Sequence, residues 1–298
     1  MNNSKPSHPQ TCALSEAPAH QGTVYQNIGR VFEILSNCDA DPIQVVALLR
    51  TTRSIVSGSA ALLMVSDLDF VPGDLDIYTP LSQEESAMEI VQHHMNFEAK
   101  TSRMPRGYPD SSAIHKVHRL EKGHRSMNVI IVRGEDPTAA LFHFHSTIVM
   151  NCLTAFGLYC AYPSLTFFDV GVVNLPVVLR EVGVRRNAEE CFDKYRNRGV
   201  TLVNDVRKLP RHSIHECRKD AECPHTLRST VDAQGLYITL FEPTEAEAEY
   251  VARHRYATIW MMGGPMCGEK GTYFNNFVAS IKASEITVSK GLTRYFRA

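Results

Sequence analysis

From Thr23 to Leu49 apolar residues return at roughly helical spacing: Val24, Ile28, Val31, Phe32 and Leu35, then Ile43, Val46, Leu48 and Leu49. The run breaks at Asn37-Cys38-Asp39 and restarts at Asp41-Pro42, so the spacing predicts two short helices. Ile55-Val56 predicts a short strand, Ala60 to Ser66 the start of a helix, and Leu68 to Gly73 a loop feeding a strand from Asp74 to Tyr78. Glu84 to His94 reads as an amphipathic helix, with Met88 and Val91 on one face and Met95 extending the stripe. Phe97 to Ser102, Ile114 to Leu120 and Met127 to Val132 are strand candidates; in the last, Val129 and Ile131 oppose Asn128 and Ile130. This order predicts an α+β fold with an α/β-like core, a small mixed sheet flanked by helices.

Past Pro137 the pattern changes. Phe142 to Tyr159 carries large apolar residues at helical spacing (Ile148, Cys152, Ala155, Phe156, Tyr159) and predicts a buried helix. Asn187 to Asn197 predicts a short helix stopped by Gly199, Leu236 to Phe241 a strand, and Thr244 to Arg253 an acidic helix. The expected organisation is a flexible tail over 1–22, a core domain over 23–136 and a mostly helical region with a Cys/His loop over 137–298. With 298 residues, 44% of them apolar, the chain is long enough for one large core or two smaller ones. No apolar run reaches the length of a membrane span, and the first twenty residues lack the hydrophobic stretch of a secretory signal. The expectation is an intracellular protein, cytoplasmic or nuclear, with no membrane partner. The eight cysteines are scattered without the spacing of a small disulfide scaffold, which predicts reduced thiols.

The candidate chemistry lies in Ser57-Gly58-Ser59 and Gly73-Asp74-Leu75-Asp76-Ile77-Tyr78. Residues two apart on a strand share a face, so Asp74 and Asp76 can converge while Leu75 and Ile77 enter the apolar layer. Paired carboxylates repel unless a proton or cation relieves them, and a hard divalent ion such as Mg²⁺ or Mn²⁺ does so with oxygen ligands that also suit phosphate. Gly58-Ser59 stands where a strand turns into a helix, whose first N–H groups can hold a phosphate. Gly-Ser is equally an ordinary turn and helix cap, and two solvated aspartates on a surface strand remain the alternative.

The run Ser57-Gly58-Ser59 followed by Asp74-Leu75-Asp76 resembles the signature of the polymerase-β-like nucleotidyltransferase superfamily, in which Gly-Ser or Gly-Gly precedes Asp-x-Asp or Asp-x-Glu. The wider pattern, including Phe144 to Asn151 and Tyr162 to Thr166, resembles uncharacterised nucleotidyltransferase-like proteins of basidiomycete fungi over most of residues 25–240. The superfamily resemblance implies that Gly58 and Ser59 hold the incoming nucleotide and that Asp74 and Asp76 bind two divalent cations. It also implies transfer of a nucleotidyl group from a nucleoside triphosphate to a hydroxyl on a small molecule, a short RNA or a protein. A third carboxylate on a neighbouring strand usually completes that site. Here the corresponding strand offers Asn128, which adds no negative charge, and Glu121, Asp67 or Asp69 are the substitutes within reach in sequence. Three readings follow: an active transferase, a nucleotide-binding protein with weak catalysis, and a non-enzymatic interaction module that retains the fold.

The net charge of −1 argues against non-specific coating of nucleic acid. Locally, Arg103, Arg106, Lys116, Arg119, Lys122, Arg125 and Arg133 outnumber Asp110 and Glu121, and Arg103 and Lys116 are candidate nucleotide contacts. The basic, aromatic helix end Lys194-Tyr195-Arg196 with Arg198 can dock phosphate, though cations at a helix C-terminus need no ligand. His212, His215, Cys217, Cys223 and His225 include zinc-ligand types, with His215, Cys217, Cys223 and His225 the candidate set and Glu216 a possible orienting group. Their spacing departs from the close pairs of structural zinc knuckles, so a polar loop with unpaired thiols is expected and zinc is not. His143 and His145, two apart on a helix, would face opposite sides; Asn151 would need a buried hydrogen-bond partner; Gly263-Gly264 reads as a turn rather than a P-loop.

Overall fold

The computed structural model describes residues 24–103, 113–180, 183–184, 186–209, 215–254, 256–265, 267 and 272–282. Helices α1 (Val24–Ser36) and α2 (Pro42–Thr52) form as the spacing predicts. Asp41 caps α2 by accepting from the Ile43 and Gln44 amides, Pro42 opens its first turn, and Arg53 ends it at a left-handed φ of 55°. Strand β1 (Ile55–Ser57) then runs straight into α3 (Gly58–Val65), and β2 (Asp74–Pro80) carries the two aspartates. The segment Glu84–Glu89 is α-helical and continues as a π-helical turn over Ile90–His94.

Strands β3 (Glu98–Arg103), β4 (Ile114–Lys122), β5 (Arg125–Val132), β6 (Asn151–Leu153) and β7 (Gly157–Cys160) join β1, β2 and the strand Leu236–Thr239 in one eight-stranded mixed sheet. Its order is Leu236–Thr239, β7, β6, β1, β2, β5, β4, β3, with β2 and β5 parallel and the other neighbours antiparallel. Alternation along the strands splits the core. Leu75, Ile77, Leu120, Met127, Val129 and Ile131 pack with α1, α2 and the Glu84–His94 segment on one face. Ile55, Tyr78, Ile130 and Val132 pack on the other with Phe142, Tyr162 and Trp260. No helix among the described residues is long and apolar enough to cross a membrane.

The architecture is α+β, a mixed sheet flanked by helices, with further helical segments after residue 137 that include Arg186–Arg196 and Glu245–His254. Strands are interleaved with them, and β6, β7 and Leu236–Thr239 extend the sheet begun before residue 136. The helix expected from Phe142 to Tyr159 does not form. That segment is a 3-10 turn, a second short turn over Thr147–Val149, and the β6–β7 hairpin, whose bend is tied by Thr154 Oγ1 accepting from the Phe156 and Gly157 amides. Both strands are buried throughout, so their continuous apolar run mimics a buried helix.

The second core centres on Trp260, in the strand Tyr256–Met261. Its ring stacks on Phe142 at 3.7 Å between centroids, its Nε1–H donates to Tyr162 Oη at 2.8 Å, and Arg228 lies 5.3 Å above it. Arg228 is itself buried, donating twice to Asp232 and to the Ala161 and Ala221 carbonyls. Trp260→Ala therefore leaves a cavity and an unpaired Tyr162 hydroxyl, and is expected to cost about 3–5 kcal/mol in urea unfolding. A loss below about 1 kcal/mol would place the stability of this region elsewhere.

Candidate functional site

The register that pairs Ser57 with Asp76 on one side also pairs Asp76 with Asn128 on the other. Asp74, Asp76 and Asn128 consequently share one face, and the Asn128 Nδ2 donates to Asp74 Oδ2 at 3.1 Å and to Asp76 Oδ1 at 2.8 Å. Both carboxylates thus come within hydrogen-bond reach of one nitrogen. Ser57 Oγ donates to the Asn151 carbonyl at 2.7 Å, which fixes the end of β1 where α3 begins. Gly58 adopts φ +70°, and a Cβ there would sit 2.7 Å from Asp76 Oδ2. Glycine is required for both reasons: the backbone conformation and the close approach of the carboxylate. Ser59 is buried and its Oγ has no hydrogen-bond partner.

Burial first, and the neighbouring Asp74 charge second, push the Asp76 carboxyl up to about 7, while the Asn128 hydrogen bond and Lys194 oppose the rise. A divalent cation would replace the proton and satisfy both carboxylates. Cationic groups of the helix Arg186–Arg196 and of the turn after it act on this pair. Lys194 is close enough to act on Asp76 electrostatically, and Arg198 on Asp74. The Arg198 guanidinium lies 4.0 Å over the Phe70 ring and 5.5 Å from the Tyr195 ring, and its buried Nη1 lacks a partner. Desolvation lowers its pKa, the usual cost of holding a cation against aromatic rings. Behind that helix His145 is packed against Phe192 and Tyr195, bonded to Ser146, and kept neutral by burial and Lys194, its pKa pushed down to about 4.

Sequence reasoning placed Gly58, Ser59, Asp74, Asp76 and Asn128 together, and they are together. Lys116 does not join them. It pairs in register with Ile131, on the sheet face opposite the aspartates, and its Nζ binds Glu84 at 2.6 Å beside His118. Arg103 ends β3, and its side chain lies outside the described residues, as does Arg106. Of the substitute carboxylates, Glu121 pairs with Arg119 out on β4 and Asp67 with Arg30. Asp69 lines a cleft of about 810 Å³ between α1 and the 67–72 loop, whose walls do not include Asp74 or Asp76. None replaces Asn128. Lys194 and Arg198 are legible in the sequence only as a basic helix end; their electrostatic influence on the β2 aspartates is not. Asn151 belongs to β6, where its Nδ2 donates to the Ile148 carbonyl and its Oδ1 is buried without a partner.

A second set of chemistry-bearing side chains corrects the expectation that zinc has no site here. His215, Cys217, Cys223 and Cys267 present one ligand atom each within 4.8 Å of one another, with Cys223 Sγ 3.9 Å from both other sulfurs. Cys267 takes the place expected of His225, whose Nε2 instead donates to the Pro265 carbonyl at 3.0 Å and whose ring meets Phe274 edge-on. His212 lies outside the described residues. The close-pair spacing of a zinc knuckle is absent because the fourth ligand comes from 44 residues beyond Cys223, just past the strand Gly264–Pro265. Burial and the two neighbouring sulfurs push the Cys267 thiol up to about 12, a crowding of like groups that a soft cation reverses.

Compared with known protein families, characterised proteins and solved structures, the chain matches none.

Proposed function

We propose that this chain is a metal-dependent nucleotide-binding protein of the nucleotidyltransferase kind, acting on a hydroxyl acceptor. The observation that carries the reading is the convergence of Asp74 and Asp76 on one face, directly beside the Gly58-Ser59 start of α3. In this reading the two carboxylates chelate a divalent cation that also binds the triphosphate, and the first amides of α3 and the unpartnered Ser59 hydroxyl take a terminal phosphate. Lys194 and the free Arg198 nitrogen, whose charges already act on the aspartates, offset the phosphate charge. The acceptor oxygen forms a bond to the α-phosphorus, the bond from that phosphorus to the bridging oxygen breaks, pyrophosphate leaves, and the hydroxyl proton passes to solvent.

A second reading, binding with little turnover, is favoured by Asn128. It occupies the place of a third carboxylate and spends its amide hydrogens on the other two. A neutral ligand holds a second cation weakly and lowers an acceptor hydroxyl's pKa poorly.

Calorimetric titration with each of the four common nucleoside triphosphates, with and without Mg²⁺ or Mn²⁺, tests the shared core of both readings. Heat is expected only when the cation is present. Absence of heat for every nucleotide under both conditions would reject the proposal. Incubation with α-labelled nucleotide and small-molecule, short-RNA or protein acceptors then separates them: transferred label supports the first reading, binding without transfer the second.

A further inference from the structure

The loop from His215 to Thr226 has neither helix nor strand to hold it and buries little apolar surface of its own. It is a chain of turns, with amide donations from Lys219 and Asp220 to Glu216, from Cys223 to Asp220 and from Thr226 to Cys223. Arg218, next to Cys217, takes a left-handed φ of 66°, which turns the chain directly after that thiol. Two hydrogen bonds tie this loop to the turn that carries Cys267: Gly263 N–H to the Pro224 carbonyl at 2.9 Å, and His225 Nε2 to the Pro265 carbonyl. Gly263, at φ +77°, also lies against the Phe274-Asn275 backbone, where a Cβ would stand 2.6 Å from the Phe274 carbonyl. Loops this short of packing are commonly closed by a metal.

We propose that His215, Cys217, Cys223 and Cys267 bind one structural Zn²⁺ that staples this loop to the segment carrying Pro265 and Cys267. The geometry carries it. At Zn–S of 2.3 Å, tetrahedral bonding puts neighbouring sulfurs about 3.8 Å apart, against the 3.9 Å of Cys223 to both Cys217 and Cys267. The Nε2 of His215 is buried without a hydrogen-bond partner and is the nitrogen that the metal would satisfy. Four protein ligands close the coordination shell, leaving no position for water or substrate, so the metal is structural and not catalytic. Three thiolates and a neutral imidazole around Zn²⁺ carry a net charge of −1, which Arg218 beside Cys217 offsets. Soft sulfur ligands select zinc over Mg²⁺ or Mn²⁺, so this centre is chemically separate from the carboxylates of β2.

The test is metal analysis of the full chain purified without chelator from zinc-supplemented cells. The expected result is about one zinc per chain, released by a mercurial thiol reagent. Cys267→Ser and Cys217→Ser should lose most of it, whereas His225→Gln should keep it. Since a cysteine variant can fail to fold, Co²⁺ exchanged into the unmutated chain provides the second measurement. Tetrahedral ligation by three sulfurs gives an intense thiolate charge-transfer band together with strong d–d absorption. Zinc below a tenth of an equivalent in the unmutated chain, or a Co²⁺ spectrum lacking the thiolate band, overturns the proposal. Loss of zinc in His225→Gln with retention in Cys267→Ser overturns this ligand set.

Discussion

Asp76→Asn is expected to stabilise the ligand-free chain at pH 8 while abolishing its cation-dependent nucleotide binding. The folded chain holds a proton on Asp76 up to about pH 7, because burial and Asp74 disfavour the charge, whereas the unfolded chain releases it near 3.8. Between those values the folded state binds more protons than the unfolded one, so stability falls as pH rises, by about 1.4 kcal/mol per unit. The contribution is fully present below about pH 4 and is gone once pH passes about 7, a span of a few kcal/mol shared with Asp74 as a pair. Asparagine carries no charge at any pH, so the variant should lack this slope. Urea unfolding of both proteins at pH 5 and pH 8 checks it, since the difference between them cancels the titrating groups outside the Asp74–Asp76 pair. At pH 8 with nucleotide and cation the order should reverse, because only the unmutated chain gains from binding. A variant that is less stable than the unmutated chain at pH 8 without ligand would mean that the carboxylate pair carries no such repulsion.

Asn128→Asp is expected to have the second large effect. It places a third carboxylate in register with Asp76 and removes the two amide hydrogens that now hold the pair together. Without cation the variant should be less stable at pH 8 by about 2 kcal/mol or more, from like-charge repulsion and two lost charge-assisted hydrogen bonds. With cation the sign changes: an added anionic oxygen should raise divalent-ion affinity, and label transfer with it, by about tenfold or more. Asn128→Ala gives the control, losing the hydrogen bonds without gaining a ligand. Equal cation affinity in the aspartate and alanine variants would show that position 128 does not face the metal.

The parts of this protein set by short-range rules were legible in its sequence. The helices of the first fifty residues follow apolar spacing and the Asp41-Pro42 start, and the alternation Asp74-Leu75-Asp76-Ile77 alone required the two carboxylates to share a face. Asn128 enters the same site through the superfamily resemblance, which implies a third ligand on a neighbouring strand, and the β2–β5 register places it beside Asp76. Where local pattern is ambiguous the reading failed: the apolar run from Phe142 to Tyr159 fits a buried helix and a doubly covered hairpin equally, and only the neighbouring strands β1 and Leu236–Thr239 select the hairpin. Lys116 was misplaced by a different limit. Its sheet face is fixed by the β4–β5 register and by a bulge between Ile114 and Lys116, and one residue of shift moves a side chain to the other face.

By itself, then, the sequence determined the first two helices, the α+β class and the carboxylate strand, because helix and strand periods are properties of the chain over a few residues. The tertiary structure alone decided which distant groups meet them. Lys194 and Arg198 act electrostatically on the aspartates from more than a hundred residues away, and Cys267 joins a ligand cluster begun at His215. Such meetings depend on how the sheet and its covering segments pack in three dimensions, and no spacing between residues along the chain encodes that distance.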